Sequence, residues 1–246
     1  MGSIAAAFAA VAAALAPPGV VSADGSTRWV ARQADTDTVV TALSARGGVV
    51  SRSTTLRGRF RVPVVARDGT VGGLSFDGGT LVLAEPPRRG NTRLAVVDTR
   101  RFTSRTLALP GEFSFDALSP DGRLLYLIEY ASASDRSLYR VRAYALARRR
   151  LLGGAVADKR TGQTAMRGVA VSRTESPDGR WAYTLYAGGS HPFVHALDTV
   201  RRQAVCLDVH GVGEGRIWFA RLAVSPDGSQ LLLYSGGRTL AALALP

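Results

Sequence analysis

His191 and His195 stand four residues apart in HPFVH, the spacing at which two imidazoles on one helix converge on a metal ion. Pro192 and the β-rich surroundings forbid that helix. In a strand the pair lies about 13 Å apart at roughly 3.3 Å per residue, too far to share an ion. The expectation is a loop histidine, a half-buried strand histidine and no metal site. Cys206 is the only cysteine, so no intramolecular disulfide forms, and its run QAVCLDV reads as a strand with a small apolar residue inside. His210 falls past the end of that run, a poor base for a thiolate. Gly211-Val212-Gly213-Glu214-Gly215 links two strands without a helix N-terminus, so it reads as a flexible connection and not a phosphate cradle. GxSxG, HExxH and P-loop patterns are missing. No catalytic residue and no cofactor is assigned.

The conspicuous acids Asp121, Asp178 and Asp227 each occupy the same tetrapeptide, Ser-Pro-Asp-Gly. Proline presets φ, aspartate bonds its own backbone, and glycine takes the positive φ, which together make a hairpin turn. A fourth copy, Ser75-Phe76-Asp77-Gly78, and a fifth, Ser22-Ala23-Asp24-Gly25, put the aspartates at intervals of 53, 44, 57 and 49 residues. A strand-like run follows each copy, as in LLYLIEY and RWAYTLY. Third runs (TRLAVVD, PFVHALD, VRAYALA, TVVTALS) and fourth runs (TSRTLAL, QAVCLDV, RLLGGAV, VVSRSTTL) complete most units. Four antiparallel strands at a period near 50 residues, with no helical pattern between them, predict an all-β propeller of about five recognisable blades. The last unit offers only three strands. That leaves an open edge, or five blades of a six- or seven-bladed ring.

These SPDGR hairpins, followed by Ala-Leu-Asp-Thr, resemble the WD40-like repeats of TolB-like and surface-layer YVTN-type β-propellers over about residues 18–246. The resemblance implies the fold and says little about activity, because such repeats mark blades. With the arginine, alanine and glycine bias, it suggests a secreted protein of a high-GC Gram-positive bacterium. Residues 1–17 form a separate Ala-rich segment. Its apolar stretch 4–16 is too short to span a bilayer, resembles the core of a signal peptide, and is followed by Val21-Ser22-Ala23 as a cleavage site. No basic residue precedes it, and cleavage there would split the first turn. Export is the favoured expectation; a cytoplasmic location follows if the segment is not a signal.

The formal charge of +12 invites a nucleic-acid reading. Lys159 is the only lysine among 31 basic residues, and the arginines are dispersed, which points to composition bias and a basic surface instead. Function then falls to the loops on the face opposite the SPDG turns. The non-repeating segments there are 57–73, 158–168 and 210–219, with shorter loops near Arg88 and Arg136. Candidate ligand-binding residues are Arg57, Arg59, Phe60, Arg61, Arg88, Arg136, Arg167, Arg216 and Trp218. If the arginines converge they suit an anionic small molecule or polymer, or an acidic protein segment. The expectation is a monomeric, non-enzymatic binding scaffold without a transmembrane span. A propeller hydrolase or lactonase is the alternative. It would require acids such as Glu85, Glu112, Asp135 or Glu214 to gather with a histidine at the channel mouth.

Overall fold

The computed structural model describes residues 19–246 except 87, 89, 133, 161 and 163; the Ala-rich segment lies outside the described residues. The periodic runs fold as consecutive antiparallel blades, confirming the all-β propeller. Blade one comprises β1 (Gly19–Val21), β2 (Thr27–Ala34), β3 (Asp37–Ser44) and β4 (Val50–Arg57). Blade two holds β5 (Thr80–Ala84), β6 (Asn91–Asp98) and β7 (Thr103–Pro110). Its innermost strand is reduced to a Leu74–Leu81 bridge.

Blade three contains β8 (Phe113–Leu118), β9 (Leu124–Tyr130), β10 (Leu138–Ala145) and the two-residue β11 (Arg150–Leu151), with β12 (Met166–Arg167) also on β10. Blade four comprises β13 (Val169–Glu175), β14 (Trp181–Ala187), β15 (Phe193–Asp198) and β16 (Gln203–Asp208). Blade five has three strands, β17 (Arg221–Val224), β18 (Gln230–Ser235) and β19 (Arg238–Ala244).

Every SPDG-type turn joins the first two strands of its blade. In the clearest copy, Asp121 Oδ1 accepts bonds from Ser119 Oγ at 2.6 Å and from the Arg123 amide at 3.0 Å, while Gly122 takes φ +66°. The carboxyls of Asp24 and Asp227 are held down near pH 2, first by the serine two residues before each. These acids are spent on turn geometry.

Apolar faces fill the spaces between blades. Trp29, Val40, Leu56, Leu81 and Val97 pack blade one on blade two; Tyr126, Tyr139, Tyr186 and Leu197 pack blade three on blade four. A second repeated device closes the first two junctions. Gly58, at φ +115°, turns the chain so that the Phe60 amide donates to Thr38 Oγ1 at 2.8 Å. Gly111, at φ +108°, does the same for the Phe113 amide and Thr92 Oγ1 at 2.8 Å.

The non-repeating segment after Phe60 crosses to the far side of the molecule. It folds back on itself through a Val64–Val71 bridge. The Arg67 and Asp68 amides then donate to the Ala170 and Val171 carbonyls of β13, and Asp68 pairs with Arg221 of β17 at 3.2 Å. On the opposite face Phe76, in the turn of blade two, lies against Gly179 in the turn of blade four. Gly211–Phe219 is not the flexible connection expected from its glycines. Glu214–Ile217 forms one helical turn, α1, because Ile217 is buried beside Val209, Ala220 and Leu222 and fixes the segment.

Candidate functional site: a cleft between the third and fourth blades

The antiparallel order places all nine predicted residues at the loop end of the blades. Phe60, however, is fully buried. It fills the junction between the first two blades beside Glu85, out of reach of an external ligand. Its neighbours Arg57, Arg59 and Arg61 are exposed on the side of blades one and two. Three other arginines each contact an acid: Arg88 meets Glu85 at 3.8 Å, Arg136 meets Glu112 at 3.3 Å with its guanidinium still half-exposed, and Arg167 meets Asp135 at 2.8 Å. Arg216 is exposed on α1, and half-buried Trp218 carries the Arg67 guanidinium 5.4 Å above its ring. The arginines therefore form two groups instead of a ring, and Arg136, Arg167 and Trp218 lie with the second group, over blades three to five.

Arg136 of that second group borders a cleft of about 390 Å³ between blades three and four, roofed by residues 64–67. Ser114, Phe115 and Asp116 of β8 form one wall; Tyr130 and Tyr139, with Val169, Ala170 and Tyr186, form the rest. Arg67 and Arg136 stand at its edge, the latter 5.0 Å from the Tyr130 ring. Ser114 Oγ donates to Tyr130 Oη at 2.8 Å, and the Tyr139 and Tyr186 rings stack with centroids 5.1 Å apart.

Asp116 sits where β8 bulges between Phe115 and Ala117, which turns its carboxylate toward the neighbouring blade. There Oδ1 accepts from Arg173 Nη1 of β13 at 2.7 Å. Both side chains are buried, at 5% and 3% exposure. Arg173 also donates to Thr184 Oγ1 at 3.3 Å. Burial opposes its charge, but the field of Asp116 and Glu175 holds its pKa above the ordinary value. Glu175, two residues along the same strand, keeps contact with solvent. Crowding protein still pushes its carboxyl up, against the opposing pull of Arg173.

Strand register carries the polar row outward from Arg173 through Thr184 and His195 to Cys206. His195 is buried with Nε2 lacking a hydrogen-bond partner, and burial lowers its pKa to about 4. Cys206 is half-buried, with its thiol pushed up to about 11 by burial, unsuited to thiolate chemistry. His191 lies in the loop before β15 and bonds Asp208 at 2.8 Å on the surface, whereas His195 within β15 is fully buried, not half-buried. Among the described residues no three His, Cys, Asp or Glu side chains gather as a metal-holding group. Of the acids named for a hydrolase, Glu214 shares a pocket with a histidine, His191, whose Nε2 faces Asp208.

His195 predicts an acid response. Below its unfolded pKa near 6.5 the unfolded chain takes up a proton that the folded chain refuses down to about 4. Stability is therefore complete above pH 6.5 and falls between 6.5 and 4. Urea midpoints across that range should show the slope in the wild type and a flatter one in His195→Gln. An equal slope in both proteins would place the titration elsewhere.

The fold and its recessed loop-end cleft define a β-propeller. No protein-family model matches the chain, and no curated protein matches its sequence. Among solved structures, the Cps50 (Swd1) β-propeller domain of Myceliophteria thermophila superposes with a TM-score of 0.54 at 10% identity, over 94% of this chain and 66% of that one. Hydrazine synthase of Kuenenia stuttgartiensis gives 0.51 at 18% identity, over 87% and 54%. TolB from Acinetobacter baumannii gives 0.49 at 13%, over 91% and 50%, too loose to separate a TolB-like propeller from any other. This chain thus spans half to two thirds of the length of these proteins, and the likeness concerns the fold alone. Among the described residues no helix is long and apolar enough to cross a membrane.

Proposed function

We propose that the chain is an exported, monomeric, non-enzymatic binding scaffold that engages an anionic ligand or acidic protein segment through its loop end. The observation that carries this reading is the pair of arginines at the edge of the cleft, Arg67 over Trp218 and Arg136 over Tyr130. An arginine stacked on an aromatic ring is held in place, and Arg, Tyr and Trp are enriched among the residues that carry binding energy at recognition surfaces. The Ala-rich segment 4–16 supports export, and the arginine bias fits a high-GC Gram-positive origin.

The test uses a fluorescent poly-glutamate peptide at low ionic strength, with anisotropy as readout. Arg67→Ser/Arg136→Ser should weaken binding roughly tenfold, the effect of losing two anchored charge contacts. Arg148→Ser/Arg149→Ser removes the same charge from a turn at the opposite end, between β10 and β11, and should leave binding nearly unchanged. Equal losses in the two variants would reduce the interaction to general basicity and overturn the proposal.

A further inference from the structure

We propose that the cleft between blades three and four receives an apolar side chain of an acidic protein segment, flanked by carboxylates that pair with Arg67 and Arg136. This deepens the binding reading and rests on it. What carries it is open apolar surface set beside the two arginines. Val64 on the roof and Val169 on a wall both line the cleft, yet they are 60% and 42% exposed. Val65, Tyr130 and Ala170, also in the lining, are half-buried. These are surfaces that a ligand can reach. Exposed valines scattered singly are ordinary, whereas several on the lining of one recess mark a contact surface.

The recess is preformed. Its roof is held by the Arg67 and Asp68 amides on the Ala170 and Val171 carbonyls, and by the Asp68–Arg221 pair at 3.2 Å. A cleft whose walls are already fixed adds little ordering cost on binding. Its concave form suits an inserted side chain, the anchor-in-pocket arrangement of protein interfaces; a flat membrane reaches only the rim. Charge then selects among apolar ligands. Arg67 belongs to the roof and Arg136 to the β9–β10 loop, so the cations come from two walls. The acids nearest them are paired, Asp116 with Arg173 at 2.7 Å and Glu112 with Arg136 itself at 3.3 Å, which leaves the rim basic. A fatty acid presents a single carboxylate at one end of its tail. A peptide presents carboxylates both before and after an apolar residue, which matches guanidinium groups standing on separate walls.

The experiment compares two fluorescent peptides by anisotropy, using the full chain at low ionic strength. One is poly-glutamate; the other has equal length with Phe in place of its central Glu. The Phe peptide carries less charge but should bind roughly tenfold tighter, the effect of burying part of an aromatic ring. In Val64→Ser/Val169→Ser that gain should vanish while poly-glutamate binding stays. Both side chains are exposed, and an unchanged melting temperature shows that the variant folds. Val49→Ser/Val50→Ser removes comparably exposed valines at the turn end of blade one and should keep the gain. A Phe peptide with Gln in place of every Glu should bind roughly tenfold more weakly than the acidic one. Equal affinity for the two acidic peptides, or a gain that survives Val64→Ser/Val169→Ser, would overturn the proposal. So would laurate or phosphatidylserine vesicles that bind through the same valines more tightly than the Phe peptide. If both acidic peptides bind equally and need Arg67 and Arg136, the scaffold reading stands and the apolar anchor falls; if neither binds, both fall.

Discussion

Arg173→Met should lower the unfolding free energy by about 3–5 kcal/mol, because it strands the buried Asp116 carboxylate without its cation. Asp116 has no alternative donor at hand: its second oxygen is already unpartnered, and Thr184 bonds the same guanidinium. Urea denaturation at neutral pH measures the loss. The companion variant Arg173→Met/Asp116→Val separates the cost of an orphaned charge from the worth of the pair. Replacing both partners removes the orphan, and the double variant should recover at least half of the deficit. A single-variant loss below about 1 kcal/mol, typical of solvated ion pairs, would mean that water reaches the pair in solution.

Phe60→Ala should cost about 3–5 kcal/mol, the usual range for removing a large aromatic ring from a packed interior. The ring is fully buried against Trp29, Leu56, Leu81 and Leu83, and its backbone is pinned to Thr38 and Gln33. Nothing nearby can collapse into the cavity without breaking those bonds. Phe113→Ala, at the equivalent junction, should behave alike. Poly-glutamate affinity should be unchanged in Phe60→Ala at temperatures where it stays folded. A mild stability loss with abolished binding would instead return Phe60 to the role of a surface anchor.

That residue also marks how far the sequence could be read. The hairpin aspartates were legible because their spacing repeats, and the blades follow from them. Phe60 sits in a stretch, RGRF, that looks unique and basic. Yet PGEF at 110–113 repeats its Gly-x-Phe pattern, a signal for a junction plug and against a ligand anchor. The cleft was harder to see. Asp116 and Arg173 lie inside the strands FSFDAL and VAVSRTE, where alternation predicts packing, and their partnership spans 57 residues. A charge placed at an inward position of a first strand is a usable warning. Which residue answers it is decided by blade order, and no local pattern records that.

The crossing of residues 61–72 to β13 and Arg221 has a kinetic meaning. Repeat arrays usually gain stability one unit at a time, since each unit touches only its neighbours. Here the amides of Arg67 and Asp68 find their acceptors only after about a hundred further residues have been made and folded. The loop between the first two blades therefore cannot complete its hydrogen bonds before the fourth blade exists, which ties its ordering to long-range loop closure.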